Sequence, residues 1–187
     1  MAWRISRIYS KEAPDAEPYP WQCRLAKQVV DNGRWPDALD LPTGTGKTAV
    51  IDIAVFALAC QAALAPQART AARRVFFCVH QRVIVDAAYQ RAARLAERLL
   101  EAEQAPALRP TLAKVAAALR ARSTLRPESA PPLDVLELRG GLYRDNRWAR
   151  SATQPMVVCT TIDQFGSRLL FRGDGVSAAA APIHLRA

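Results

Sequence analysis

The sequence has few of the residues that build metal and disulfide sites. It contains two histidines, and its four cysteines, at positions 23, 60, 78 and 159, form no Cys-x-x-Cys pair. We therefore expect reduced structural cysteines without a metal or disulfide role. No His-Asp dipeptide occurs either, so a metal-dependent nuclease centre built on that pair is not part of this chain.

Long hydrophobic runs are also lacking. No stretch of about eighteen apolar residues is present, which argues against a membrane-spanning helix. The N-terminal sequence Met1-Ala2-Trp3-Arg4 does not open the long apolar core of a signal peptide. We therefore expect a soluble, cytoplasmic protein without a membrane partner.

Lysine is scarce as well, although the chain is strongly basic. Arginine supplies 22 of the 26 Lys and Arg residues, and the formal net charge is +9. A positive charge of this size suits binding to the phosphates of a nucleic acid. A GC-rich coding bias toward arginine would give the same charge, so composition alone leaves both explanations open.

Strand-like and helix-like segments alternate along the chain. Continuous apolar runs predict buried strands, and apolar residues at helical spacing predict helices. The predicted strands span 38–41, 75–79, 133–138 and 156–161, and the predicted helices span 22–30, 47–63, 82–103, 112–122 and 161–170. This order predicts an α/β fold with a mostly parallel sheet. Residues 1–20 should form a polar N-terminal arm, and residues 100–132, rich in Ala, Arg and Pro, a helical insertion.

The segment Leu41-Pro42-Thr43-Gly44-Thr45-Gly46-Lys47-Thr48 is the strongest functional signal. Its two glycines allow the backbone to turn N–H groups toward an anion. Lys47 can reach the β- and γ-phosphates of a nucleotide, and the Thr48 hydroxyl can hold Mg²⁺. The following helix directs its N-terminal dipole at the same anion. We therefore predict ATP and Mg²⁺ as cofactors, with Lys47 and Thr48 as catalytic residues. The predicted nucleotide-binding residues are Pro42, Thr43, Gly44, Thr45, Gly46, Lys47 and Thr48.

The form Pro-Thr-Gly-Thr-Gly-Lys-Thr is more specific than the generic phosphate loop, which has a glycine at the position of Leu41. It resembles motif I of superfamily 2 helicases. Upstream, Tyr19-Pro20-Trp21-Gln22 looks like the adenine-reading segment of that superfamily, which implies that Gln22 binds the base. A primary amide can donate to and accept from the adenine edge at once, which would select ATP over GTP. The alternative for Gln22 is a helix residue that faces solvent.

Three later segments resemble motifs that contact the nucleic-acid backbone in that superfamily. His80-Gln81-Arg82 lies where motif Ia stands, although only the arginine keeps the usual residue. Gly140-Gly141 resembles a paired-glycine turn that brings N–H groups to a phosphate, and Thr160-Thr161 resembles motif Ib. Each segment alone could equally be a strand end, a turn or a helix cap. Their order after the phosphate loop favours the helicase interpretation.

Four longer stretches narrow the resemblance to one family. They are Pro-Trp-Gln at 20–22, Leu-Pro-Thr-Gly-Thr-Gly-Lys-Thr at 41–48, Cys-Val-His-Gln-Arg-Val-Ile-Val-Asp at 78–86 and Thr-Thr-Ile-Asp-Gln-Phe-Gly-Ser-Arg-Leu-Leu at 160–170. Together they look like the helicase-nuclease of type I CRISPR systems, type U in particular, up to about Pro182. The resemblance implies a RecA-like P-loop domain and ATP-dependent unwinding and degradation of DNA. It also implies single-stranded DNA and an RNA-guided CRISPR surveillance complex as partners.

Three parts of that family are absent from the 187 residues. Motif II, Asp-Glu-x-His, would be expected soon after residue 187, and the second RecA-like domain and the nuclease domain are missing too. We therefore expect residues 21–187 to be a partial first RecA-like domain, truncated before motif II, that binds ATP and DNA backbone without efficient hydrolysis. A small P-loop kinase and a non-enzymatic nucleic-acid-binding remnant are the alternative functions.

Overall fold

The computed structural model describes residues 17–138 and 151–169. Its helices are α1 (Pro20–Asn32), α2 (Val50–Cys60), α3 (Arg82–Gln104), α4 (Pro110–Arg120) and α5 (Ile162–Leu169), and its strands are β1 (Arg74–Val79), β2 (Asp134–Leu138) and β3 (Met156–Thr161). Single 3-10 turns cover Lys47–Ala49, Gln61–Ala63 and Pro66–Ala68. The predicted paired glycines, Gly140 and Gly141, and most of the predicted N-terminal arm lie outside the described residues.

The three strands form one parallel sheet in the order β1-β3-β2. The predictions of an α/β fold and of parallel pairing are therefore confirmed. Strand β3 lies in the middle, and all six of its residues are buried. An apolar run such as Met-Val-Val-Cys suits this position because a central parallel strand is covered on both faces.

Helices α2 and α3 cover one face of the sheet, and α4 packs against both helices to complete the main core. Apolar residues of α2 and α3 meet alternate residues of the strands, including Val135, Val157 and Cys159. Helix α4 contributes Leu112, Val115 and Leu119 to this core. The Ala-rich segment after residue 100 therefore includes a helix that packs inside the domain.

Helix α5 lies on the opposite face of the sheet. A second core cluster there contains Leu136, Leu138, Met156 and Val158, with Phe76 packed against it. The ring of Phe165 from α5 contacts the ring of Phe76, with their centroids 5.1 Å apart and tilted by 49°. This tilted contact is a favourable geometry for two aromatic rings, and it joins α5 to β1.

Helix α2 is fixed by its two neighbouring helices. Leu25, Ala26 and Val29 of α1 pack against Ile53 and Ala57 of α2. On another side, the buried carboxylate of Asp52 accepts hydrogen bonds from the guanidinium of Arg91 on α3, with Nε at 2.9 Å. A buried carboxylate needs such a partner to remain charged. These contacts position the start of α2, which follows the predicted phosphate loop at 42–48.

The strand predicted at 38–41 is wrong, because this segment is irregular and Ala38, Leu39 and Asp40 are exposed. A strand needs a neighbour that completes its backbone hydrogen bonds, and no described strand pairs with this segment. Strand β1 also differs from the prediction of cover on both faces, since all six of its residues are only half-buried. An apolar cavity of about 280 Å³ lies between β1 and α2. Strand β1 is the edge of the sheet within the described residues.

No helix among the described residues is both long enough and apolar enough to cross a membrane.

Candidate nucleotide-binding site

The segment 42–48 forms an exposed loop that leads directly into α2. Gly44 has φ 79° and Gly46 has φ 69°, which is the left-handed region that other residues rarely adopt. A single 3-10 turn from Lys47 to Ala49 then joins the loop to α2. The two glycines therefore supply the turns that the sequence pattern requires of them.

Helix α1 supports the loop through two side chains. The indole Nε1 of Trp21 donates to the Thr45 carbonyl at 3.0 Å, and the amide Nε2 of Gln22 donates to the Gly46 carbonyl at 3.2 Å. Both contacts join residues 24 positions apart in the sequence. They hold two consecutive carbonyls toward α1 and so orient the peptide groups between them. Sequence reasoning missed this role of Trp21, although its place beside Gln22 in Pro-Trp-Gln was a usable signal.

The structure brings Gln22 to the phosphate loop, but both ends of its amide bond the protein. Its Oε1 accepts from the backbone N–H of Tyr19 at 3.0 Å, while its Nε2 bonds Gly46. The residue is 4% exposed, so the solvent-facing alternative is wrong. In this arrangement Gln22 fixes the loop, and pairing with a base would require the amide to release one or both of these bonds.

The loop presents free backbone donors to solvent. The N–H groups of Gly44, Thr45 and Gly46 donate to no atom of the described residues, whereas the Thr45 hydroxyl donates to the Pro42 carbonyl at 2.9 Å. Consecutive N–H groups in such a concave turn form an anion-binding nest. The arrangement fits a phosphate chemically.

Lys47 and Thr48 follow the free N–H groups directly. Lys47 is exposed, and its ammonium donates to the Leu41 carbonyl at the other end of the loop. Thr48 is half-buried at the same turn. The only polar partner of the ammonium within the described residues is a neutral carbonyl. A phosphate would therefore be a stronger acceptor for it, since charge-assisted hydrogen bonds are the strong ones.

The loop lies toward the carboxyl end of β1. The side chain of Gln61, just after α2, accepts from the backbone N–H groups of Thr70 and Ala71 at 2.8 and 2.7 Å. The C-terminal end of α2 is thereby fixed near the segment that enters β1. Since 11 residues of helix extend about 16 Å, the start of α2 lies toward the other end of the strand.

His80, Gln81 and Arg82 follow the carboxyl end of β1, and all three are exposed. Helix α3 begins at Arg82, with Gln81 as its N-cap residue. Val79 is paired in register with Thr161 at the end of β3, so the segment 80–82 and the end of β3 are neighbours. An exposed guanidinium at this edge can contact a phosphate without obstruction.

Thr160 and Thr161 lie at the same edge but are buried. Thr160 is 0% exposed, and its hydroxyl lies 3.2 Å from the carbonyl oxygens of both Leu138 and Thr161. Thr161 is 8% exposed. The Thr160 hydroxyl therefore bonds the sheet itself in this structure. The two predicted glycines at 140 and 141 lie outside the described ranges, so their geometry does not enter the site.

Metal ligands and reactive thiols do not add to this site. Residues 17–138 and 151–169 contain no group of three or more His, Cys, Asp or Glu residues placed to hold a metal ion. Burial raises the pKa of Cys159 to about 12 and that of Cys60 to about 11. Both thiols are therefore protonated at neutral pH, and a protonated thiol is a poor nucleophile.

Comparison of the chain with protein-family models, with curated proteins and with solved structures finds no match.

Proposed function

We propose that this chain binds ATP and Mg²⁺ at the loop 42–48. We further propose that it is the ATP-binding part of a DNA helicase-nuclease that acts in type I CRISPR interference, with a RecA-like P-loop fold. In this proposal the loop N–H groups and Lys47 bind the phosphates, and Thr48 contributes to Mg²⁺ binding. Single-stranded DNA and an RNA-guided CRISPR surveillance complex are the proposed partners, and the cytoplasm is the proposed location.

One observation carries the nucleotide proposal. Two left-handed glycines, Gly44 and Gly46, form a loop whose free N–H groups precede a helix N-terminus. Free N–H groups, a helix dipole and a lysine all favour negative charge at the same point. A chance turn between two elements has no need of two consecutive carbonyls anchored from α1, as those of Thr45 and Gly46 are.

The DNA part of the proposal depends on the exposed segment 80–82. Arg82 lies at the carboxyl edge of the parallel sheet, the edge at which α/β folds bind ligands. A guanidinium there can contact a phosphate without reading a base. The resemblance to helicase motif Ia and the net charge of +9 support the same assignment.

Binding of ATP–Mg²⁺ to the purified 187-residue chain tests the nucleotide proposal directly. Lys47→Ala should weaken ATP about 10- to 150-fold, since a hydrogen bond to a charged group contributes about 1.5–3 kcal/mol. Lys27→Ala is the matched control, because Lys27 is exposed on α1 and pairs only with Asp31. Equal ATP affinity of all three proteins would refute the assignment of the loop.

The enzyme class needs a second measurement, on a longer protein that contains this chain and an Asp-Glu-x-His motif. A helicase predicts ATP hydrolysis that single-stranded DNA stimulates. Transfer of phosphate to a small acceptor without DNA would instead indicate the kinase alternative. Neither activity, with DNA binding retained, would indicate a non-enzymatic nucleic-acid-binding protein.

A further inference from the structure

Arg122 is a buried arginine whose side chain has no hydrogen-bond partner among the described residues. It lies just after α4 and is 7% exposed, and its Nε and Nη1 atoms are fully buried with no hydrogen-bond partner. No carboxylate of the described residues forms an ion pair with it. An unpaired buried charge costs several kcal/mol of stability, and an anion bound to this guanidinium would offset that cost.

Two half-buried arginines of α3 and α4 contrast with Arg122. Arg120, two residues earlier, binds both carboxylate oxygens of Glu103 at 2.8 Å. Arg91 binds the carboxylate of Asp52. Arg122 is more buried than either of them, yet it has no carboxylate partner among the described residues.

Two further arginines lie in the segment that leads into β1. Arg73 directly precedes β1 and has a buried, unpartnered Nε, and Arg69 lies four residues earlier. The guanidinium of Arg69 is held by the carbonyls of Leu64 and Ala62, at 2.7 and 3.0 Å, next to the turn Gln61–Ala63 that contacts α4. Burial lowers the pKa of Arg122, and the charges of Arg69 and Arg73 lower it further.

The backbone around these arginines is fixed at the amino end of the sheet. The carbonyl of Arg73 accepts from the N–H of Met156 at the start of β3, at 2.8 Å. Next to Arg122, the Ser123 hydroxyl donates to the side chain of Gln154 at 2.8 Å, and Gln154 donates to the Pro131 carbonyl. Arg122 and Arg73 are thereby both tied to the segment that enters β3. The three arginines form a preorganised group, which we call the arginine cluster.

We propose that the arginine cluster, Arg69, Arg73 and Arg122, is a phosphate-binding site separate from the loop 42–48. Planar guanidinium groups bind phosphate through paired N–H donors, and a doubly charged phosphate offsets more of the cluster's charge than one carboxylate can. The small accessible surface of Arg122 favours a free phosphate or the terminal phosphate of a strand over a phosphodiester inside a strand. The site lies at the amino end of the strands, whereas the loop lies toward the carboxyl end of β1.

Thermal unfolding of the 187-residue chain in inorganic phosphate, compared with chloride at the same ionic strength, tests the proposal. Phosphate should raise the unfolding temperature of the wild type. Arg122→Met should lower the phosphate affinity that this shift reports by about tenfold or more, which corresponds to the loss of one charge-assisted hydrogen bond. The same substitution should raise the unfolding temperature without phosphate, because it removes an unpaired buried charge and keeps the volume.

Three variants separate this site from its alternatives. Arg120→Met is the matched control, and it should lower the unfolding temperature while it keeps the phosphate effect. Lys47→Ala should also keep the rise in unfolding temperature with phosphate. If this variant loses the rise, phosphate binds the loop 42–48 instead. If Arg122→Met does not fold, Arg69→Ala supplies the same test, because Arg69 is only half-buried.

Two oligonucleotides identify the source of the phosphate. A higher unfolding temperature with a 5′-phosphorylated strand, but not with the same strand without its 5′-phosphate, would assign the site to a strand end. Protection by inorganic phosphate alone would assign it to a free anion. No response of the wild type to any of these probes, or a lower unfolding temperature of Arg122→Met without phosphate, would overturn the proposal. The latter result would mean that the Arg122 side chain already stabilises the fold without an added anion.

Discussion

The loop 42–48 and the arginine cluster are two candidate anion-binding regions that are built differently. The loop is exposed, and its donors are backbone N–H groups within three consecutive residues. The cluster contains a side chain that is 7% exposed, and its members are 53 residues apart, from Arg69 to Arg122. The loop depends on backbone conformation, whereas the cluster depends on packing.

The difference explains which site the sequence reveals. A nest of N–H groups needs glycines at fixed spacing, so it leaves a local pattern in the sequence. A cluster of distant arginines leaves none, and in a chain with 22 arginines no single one is distinctive. Five predictions test the two regions, from the largest expected effect to the smallest.

The largest effect concerns catalysis at the loop. We expect the 187-residue chain to bind ATP but to hydrolyse it no faster than its Lys47→Ala variant, with or without DNA. No Asp-Glu pair occurs in the chain, and in phosphoryl transfer a single arginine finger supplied from elsewhere contributes about 10³–10⁵ in rate. A phosphate-release assay measures this. DNA-stimulated turnover that Lys47→Ala abolishes would show that the chain is catalytically sufficient.

The second prediction tests how far the loop depends on its backbone. Gly44→Ala and Gly46→Ala should each destabilise the left-handed loop conformation by roughly 1–2 kcal/mol, because both positions have positive φ. If ATP binds this conformation, its affinity should fall by the corresponding factor, about 5- to 30-fold. Gly46→Ala should be the worse of the two. Its new Cβ would lie 3.0 Å from Nε2 of Gln22, whereas the Cβ at position 44 would meet nothing within 4 Å.

Gly166→Ala is the control for that pair, since Gly166 lies in α5 with open space around it. It should leave ATP affinity unchanged and stabilise the helix slightly. Titration calorimetry and thermal unfolding of the three variants measure both quantities. Equal ATP affinity for Gly46→Ala and wild type would mean that the loop does not hold the phosphates.

The third prediction separates two roles of Gln22. Gln22→Ala should weaken ATP several-fold, because one lost hydrogen bond costs about 0.5–1.5 kcal/mol. If Gln22 releases Gly46 to bind adenine, the loss should be greater for ATP than for GTP. Equal losses for both nucleotides would mean that Gln22 acts only by holding the loop. Parallel titrations of wild type and variant with ATP and GTP distinguish the two roles.

The fourth prediction concerns the exposed arginine near the loop. Arg82→Ala should weaken the binding of single-stranded DNA similarly for any sequence. It should also lower the slope of log affinity against log salt concentration by about 0.7, which corresponds to one phosphate contact. ATP affinity should not change. Arg126→Ala is the matched control, because Arg126 is exposed like Arg82 and lies outside the segment 80–82 and α3. DNA titrations at several salt concentrations measure the slope, and an unchanged slope in Arg82→Ala would remove the DNA assignment.

The fifth prediction, with the smallest expected effect, concerns the ion pair between Arg120 and Glu103 beside the arginine cluster. Hydrogen bonds from Arg120 lower the pKa of Glu103 below its usual 4.5. This pair therefore contributes stability above about pH 4.5, and the contribution is lost as the pH falls through the lowered pKa. Since both side chains are partly exposed, we expect less than about 1 kcal/mol. Glu103→Gln should remove this part of the acid dependence of unfolding, and an unchanged acid profile would show that the pair contributes nothing measurable.

Most elements were predictable because their patterns are local. Helix α1 begins near Pro20 and ends at Gly33, whose φ of 66° is the left-handed cap that the Asn-Gly pair indicates. Strand β3 has the bounds that its apolar run predicts. The strand predicted at 38–41 failed because strand formation depends on a neighbour, and neighbours are not visible in four residues of sequence.

The candidate site divides in the same way. Glycine spacing located the loop, and the segment 80–82 is exposed, while its contact with a nucleic-acid backbone stays a prediction. The burial of Thr160 could not be predicted, because it follows from the central place of β3 between β1 and β2. The anchoring of the loop by Trp21 was also hidden, since a contact across 24 residues depends on how α1 packs against α2.

The sequence by itself determined the alternation of helices and strands, the two left-handed turns of the phosphate loop and the excess of positive charge. These properties depend on backbone sterics and side-chain chemistry over a few neighbouring residues. Tertiary structure alone decided that β3 is central while β1 is half-buried and that Gln22 bonds the loop. It also decided that Arg120 has a carboxylate partner while Arg122 has none among residues 17–138 and 151–169. These properties depend on which distant residues share a place in the fold, because burial and pairing energies arise only when packing removes water.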